Sequence, residues 1–241
     1  MAASQKIKKR SFIGRVFRLF LYLLAASLVY VVTCKFIFPP ITITQLGAVV
    51  EGYGLKRDYV SWDEMSPNIK LAAMASEDQL FPDHNGFDWK SIEKSMNAEQ
   101  GKRKHKRALG AGASTISQQV AKNVFLWQGS GVAKYIRKAP EAFYTGCIEL
   151  IWGKQRILEV YLNVIEMGPG VYGVEAAAQK YFGKSARNLS RAEAAMIIAC
   201  LPNPKRFTVK PASRWVSRRY PAIMRQMSNL EGDSDIQRLM H

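Results

Sequence analysis

Cysteine is scarce in this chain: three residues, Cys34, Cys147 and Cys200, in 241. None stands at a CxxC or metal-ligand spacing, which excludes a zinc ribbon and a dithiol redox centre. The surrounding apolar text makes all three small core residues, with a Cys147–Cys200 bridge the weaker alternative. Glycine-rich phosphate loops, the strand–Ser–helix elbow of the hydrolases and internal repeats are absent as well. Ser91 and Lys94 match an S-x-x-K nucleophile spacing by chance, since neither SDN nor KTG follows. Acidic residues are lacking too. None precedes Phe36, and none falls in the polar stretch from Gly112 to Asn123.

What is present is positive charge. Lys and Arg outnumber Asp and Glu by 35 to 19, a formal net charge of +16. A domain so basic suits an anionic partner: nucleic acid, anionic lipid or a phosphate-bearing substrate. Lys6, Lys8, Lys9, Arg10, Arg15 and Arg18 crowd the first 18 residues, and an apolar run follows from Leu19 to Phe38, interrupted only by Lys35. About 20 residues at 1.5 Å each cross a ~30 Å hydrocarbon layer. The basic flank places residues 1–18 in the cytoplasm, 19–38 in the membrane and 39–241 outside it. A cleaved signal peptide ending near Ala25-Ala26-Ser27 is the weaker alternative, because the apolar run continues past it. An extracytoplasmic domain makes nucleic acid an unsuitable partner. The basic segment Gln100–Arg107 (QGKRKHKR) carries no aromatic residue to stack on bases. It reads as a solvated loop or as a contact for anionic headgroups and phosphates.

Pro39-Pro40 end the span, and Ile41–Gly54 alternates apolar and small residues as a short strand or extended linker would. Helical text begins at Ser66, a cap, with Pro67 in the first turn. Ile69, Ala73 and Glu77 recur at four-residue spacing, so Glu77 leaves the small apolar side near that helix's end. Phe87–Glu99 reads as a second helix. In Ser114–Phe125, Ser114, Gln118 and Lys122 form one row and Thr115, Gln119 and Asn123 another. That is a broad face of hydroxyls, amides and one ammonium, suited to sugars and phosphates. Pro140 belongs in a first helical turn, which places Glu141 near the start of a helix running to about Trp152. Further helices are expected over 155–163, 174–182, 190–201 (Ser190 and Glu193 at capping-box spacing) and 215–230, with a relaxed Gly168-Pro169-Gly170 between the first two.

Two carboxylates thus stand in opposed environments. Glu77, at a helix C-terminus in apolar text beside Asp78, should hold its proton to higher pH. Glu141, with Arg137 and Lys138 beside it, should stay ionised. Glu77 is the candidate for proton transfer, and Glu141 the fixed charge that organises a cationic cluster or a bound cation.

The blocks ASEDQLFPDHNG, GASTISQQVAKN, RKAPE, KQRILEVYLN, YGVEAAAQKYFGK and EAAMIIACLPNP, in this order from about Asp63 to Phe207, resemble the motifs of the peptidoglycan glycosyltransferases, glycosyltransferase family 51. With one membrane span and no second catalytic domain, the chain is similar to the monofunctional members. The resemblance implies a mainly α, lysozyme-like two-lobed domain behind an N-terminal transmembrane helix. Its larger head stands over a smaller membrane-embedded jaw. It implies polymerisation of lipid II by inverting transfer, forming β-1,4 links and releasing undecaprenyl pyrophosphate. Glu77 would be the general base for the acceptor hydroxyl and Glu141 the second catalytic glutamate at the donor. Lys122, Arg137 and Lys138 would hold pyrophosphate. Ser114, Gln118 and Gln119 would line the cleft, and Asp78, Thr115, Asn123 and Lys154 complete the expected substrate-binding set. No cofactor is required, though the donor pyrophosphate leaves room for Mg2+ or Mn2+. The implied partners are lipid II, the growing lipid-linked glycan, the plasma membrane and other cell-wall synthesis proteins. A lysozyme-like lytic enzyme and a non-catalytic cell-wall scaffold are the alternatives.

Overall fold

The computed structural model describes residues 12–89, 93, 114–127 and 132–240. The chain forms two compact units, Met1–Ile37 and Phe38–His241. The first contains helix α1 (Phe12–Phe36), whose stretch Ile13–Phe36 is long and apolar enough to cross a membrane. The helix begins ahead of the expected boundary and takes in Arg15 and Arg18, since nothing between Phe12 and Leu19 breaks it.

In the second unit the expected strand or linker after Pro40 is instead helix α2 (Ile43–Val50). The Ile-Thr-Ile-Thr alternation hides a capping box. Thr42 Oγ1 accepts the Gln45 N–H at 3.2 Å, and the Thr42 N–H donates to Gln45 Oε1 at 3.1 Å. Both satisfy donors that a helix start leaves open. Tertiary contact adds to this, as Tyr172 Oη donates to the Thr44 carbonyl at 3.1 Å.

Strand β1 (Lys56–Arg57) pairs in parallel with β3 (Val171–Tyr172), and β2 (Glu166–Gly168) pairs antiparallel with β3 across a bulge, giving the order β1-β3-β2. The relaxed glycine turn of the sequence is therefore a hairpin. Its strands are too short to show a two-residue period.

Helix α3 (Pro67–Glu77) starts as expected. Ser66 Oγ accepts the Asn68 N–H at 3.2 Å and donates to the Leu189 carbonyl at 3.0 Å. Ile69 to Ala75 are all buried, so α3 is a core helix on every side. Its alanines permit close packing against α8 (Arg191–Ala199) and α9 (Arg214–Leu230). The Ser190–Glu193 capping box at the start of α8 is formed. Helix α4 (Ile116–Phe125) packs on α5 (Val132–Ile151) and α6 (Lys154–Val164). Helix α7 (Val174–Phe182) follows the hairpin, and α10 (Ser234–Met240) closes the chain.

Helix α5 overturns one expectation. It runs through Pro140 rather than starting there, so Glu141 lies in mid-helix, not at a dipole-favoured N-terminus. Helix α9 likewise continues through Pro221. Packing of an amphipathic face offsets the one backbone hydrogen bond a proline removes. The expected helix over 87–99 and the basic segment 101–107 fall largely or wholly outside the described residues.

The three cysteines are free thiols, and no bridge joins Cys147 to Cys200. Cys200 is a core residue as expected, whereas Cys147 is only half-buried.

Candidate active site

The site is assembled where the C-terminus of α3 meets the first turn of α4. Glu77 is the last residue of α3 and Asp78 its C-cap. Ser76 Oγ donates to Glu77 Oε1 at 2.9 Å, and Gln119 Nε2 donates to Glu77 Oε2 at 3.3 Å. Tyr161 Oη holds the other end of that amide, donating to Gln119 Oε1 at 3.3 Å. From α9, Arg219 Nη2 donates to Ser76 Oγ at 3.3 Å. Burial raises the pKa of Glu77. The hydrogen bonds from Ser76 and Gln119 and the charge of Arg219 pull against it, and Asp78 adds the smallest push upward. The environment is that of a proton acceptor poised above the ordinary carboxylate range.

Asp78 serves the turn. Its carboxylate accepts the His84 Nε2–H at 3.0 Å from either oxygen, and Oδ2 also accepts the Ile116 N–H at 3.0 Å. His84 Nδ1 accepts the Gly86 N–H at 3.1 Å, which assigns the ring's proton to Nε2. Gly86 itself stands at φ 88°, and a Cβ there would meet Thr145 Cγ2 at 2.7 Å. Only glycine fits where this loop crosses α5. Lys154 belongs to the same support. It pairs with Glu149 at 2.8 Å, donates to the His84 carbonyl and lies over the Phe81 ring at 4.6 Å.

The polar face of α4 divides by depth. Thr115 is the N-cap and donates to the Gly86 carbonyl at 2.7 Å, while Gln118 Oε1 accepts the Thr115 N–H at 3.0 Å. These two side chains are buried and build the helix start. Ser114 is half-buried and its carbonyl receives Gln119 Nε2 at 3.5 Å. Gln119, Lys122 and Asn123 line a cleft of about 530 Å³, within the size range of ligand pockets. Asn123 Nδ2 donates to the Gln119 carbonyl at 2.9 Å.

Helix α5 brings the second carboxylate. Glu141 is 3% exposed. Arg137 Nε donates to its Oε2 at 3.3 Å and Lys138 Nζ to its Oε1 at 2.6 Å. Arg137 Nη1 also donates to the Trp127 carbonyl at 2.9 Å. Two positive charges thus meet one negative: Arg137 and Glu141 form a buried pair, and Lys138 reaches it from the exposed side. Lys122 joins it without a hydrogen bond or ion pair to any described residue. Desolvation first, and then the charge of Arg137, lower its pKa; Glu141 and Glu77 oppose that shift. A half-buried ammonium left next to further cations is stable only if an anion completes it. The excess of donors over acceptors matches a phosphate-bearing group.

The chain matches the sequence model of the transglycosylase family over residues 44–228. The chain belongs to the transglycosylase family. It is 44% identical over 216 residues to the biosynthetic peptidoglycan transglycosylase of Pseudomonas fluorescens, covering 86% of each chain. It is 50% identical over 196 residues to the protein of that name from Yersinia pseudotuberculosis, covering 80% of this chain and 78% of the relative. With the Pseudomonas aeruginosa protein of the same name it shares 42% identity over 238 residues, covering 95% of this chain and 98% of the relative.

The candidate site holds residues that local sequence reading passes over. Ser76 adjoins Glu77, but nothing in the local sequence marks it as a partner. Tyr161 sits in the YLN block but gives no local sign of reaching Gln119. Arg219 lies 142 positions beyond Glu77 and is brought near it by the packing of α9 on α3.

Proposed function

We propose that the chain is a peptidoglycan glycosyltransferase that lengthens glycan strands from lipid II. The observation that carries this reading is Lys122, a half-buried cation lining the cleft and within electrostatic reach of both the Glu77 carboxylate and the Arg137–Glu141–Lys138 group. Glu77 takes the proton from the 4-hydroxyl of the acceptor sugar. That oxygen attacks the anomeric carbon of the donor and displaces undecaprenyl pyrophosphate with inversion, forming a β-1,4 link. Lys122, Arg137 and Lys138 hold the pyrophosphate as its charge develops, which is where stabilisation counts when the leaving group is already a good one. The names of the relatives support the polymer, and the excess of cations in the Lys122, Arg137 and Lys138 cluster supports a diphosphate over a neutral leaving group.

The reading needs no cofactor. Both Glu141 oxygens are engaged by cations. Any Mg2+ or Mn2+ would be carried by the pyrophosphate oxygens. Helix α1 anchors the chain, and its basic flank places the N-terminus in the cytoplasm and the domain on the opposite side of the plasma membrane. Ile43, Leu46, Val49 and Val50 of α2 are exposed, as are Val132, Tyr135 and Ile136 of α5. These apolar faces support a domain whose jaw meets the bilayer.

The deciding assay is lipid II polymerisation by the purified full-length chain in detergent or liposomes, with and without a chelator. Long glycan from the wild type, none from Glu77→Gln and no change with chelator are expected. Failure to lengthen lipid II, or release of soluble fragments from finished peptidoglycan, would overturn the polymerase reading.

A further inference from the structure

The cleft does not end at α4. Besides Lys122 it is lined by Glu51 beyond α2, Glu166 at the start of β2, and Asn203 and Lys205 beyond α8. The cation of this wall is already committed, since Lys205 Nζ lies 2.5 Å from Glu51 Oε2 and 4.4 Å from the centre of the Tyr53 ring. Glu166 is different. It is half-buried, and the one hydrogen bond to its carboxyl group among the described residues is long, 3.4 Å from the Gly170 N–H to Oε1.

Other shielded glutamates of this fold are fully engaged. Glu159 accepts from the Trp62 N–H at 2.7 Å and from Arg156 at 2.6 Å. Glu175 accepts from the Ala186 N–H at 2.6 Å and from Gln179 at 2.8 Å. Removing a carboxyl from water without partners costs stability. A cleft-lining carboxyl that keeps free oxygen sites is placed for something that enters the cleft.

We propose that Glu166 is a substrate-contacting residue: with Asn203 and Asn123 it hydrogen-bonds the hydroxyl or acetamido groups of one sugar unit of the glycan. The apolar faces of Tyr172 and Pro202 line the same space, and an apolar floor beside these polar groups suits a sugar ring. Burial, its largest influence, raises the Glu166 pKa, and the charge of Lys205 opposes that shift. The ammonium groups of Lys122 and Lys205 in the same cleft disfavour a cationic ligand. This inference rests on the polymerase reading and adds a recognition point on the wall away from the pyrophosphate cluster.

The experiment is steady-state lipid II polymerisation with the full-length chain and its Glu166→Ala, Glu166→Gln and Glu166→Asp variants, with thermal melts as the folding control. Loss of one such hydrogen bond predicts that Ala raises KM about 5- to 30-fold and leaves kcat close to wild type. Gln keeps the hydrogen bond and should stay near the wild-type KM; Asp, one methylene short, should rise. If Ala melts early, the contrast between Gln and Asp decides. A wild-type KM in Ala, or a fall in kcat at unchanged KM, would overturn the proposal. Gln as impaired as Ala would also overturn it, because a charge would then be read by a cationic group. A wild type that fails to lengthen lipid II would sink the underlying polymerase reading instead.

Discussion

The Asp78 carboxylate accepts the backbone N–H of Ile116 at 3.0 Å, tying the end of α3 to the start of α4 across 38 positions of sequence. The two helices carry Glu77 and Gln119, whose 3.3 Å contact depends on that tie. Asp78→Ala should remove the cap and the His84 contact together. It should cost about 1–2 kcal/mol of stability and lower activity through misplacement of Gln119. Asp78→Asn keeps an acceptor and should recover part of both. Thermal melts and polymerisation rates on the same preparations check this, and an Ala variant with wild-type melting would refute it.

Glu77→Gln should lower turnover by roughly 10²- to 10⁴-fold, the usual worth of a positioned base. Stability should move the other way. The folded-state pKa is raised, so the folded chain holds a proton that the unfolded chain releases. The stabilisation from the protonated carboxyl is present below the ordinary carboxylate range and lost as pH rises through the raised value. At neutral pH, Glu77→Gln should therefore melt at or above the wild-type temperature, with the difference closing in acid. A variant that melts well below wild type at neutral pH would contradict the burial account.

Arg219 acts on Glu77 through Ser76 and through its charge, which lowers the Glu77 pKa. Arg219→Gln should shift the ascending limb of the pH–rate profile upward and reduce kcat at neutral pH with little change in KM. Arg219→Lys should restore part of the shift. A profile superimposable on wild type would remove Arg219 from the positioning of the base.

Lys122→Met preserves the length of the side chain and removes the ammonium. A lost charge-assisted contact to pyrophosphate should lower kcat/KM by about 10- to 100-fold. The fold should be as stable as wild type or more so, because a desolvated cation next to Arg137 and Lys138 is removed. Loss of stability with retained kcat/KM would mark Lys122 as structural.

Much of this architecture is legible from local chemistry. The caps at Ser66 and Ser190, the end of α3 at Glu77 and the limits of α7 follow from short-range rules. Local rules fail where distant contacts weigh more. Thr42 and Gln45 make α2 a helix despite β-branched alternation, and α5 passes Pro140 because its face is held by α4. Glu141 is therefore held by the side chains of Arg137 and Lys138, not by a helix terminus.

The same boundary divides the site. Residue types and spacing mark Glu77, Glu141 and the cations as candidates, because those properties travel with the residues themselves. Which side chains turn to the cleft and which to the scaffold was settled by packing. Asp78, Thr115, Gln118 and Lys154 spend their polar atoms on caps, turns and ion pairs, while Lys122 and Glu166 keep theirs for the cleft. A polar group's use depends on what lies within about 3 Å of it, and for Ser76–Arg219 or Asp78–Ile116 that neighbour arrives from a remote part of the chain.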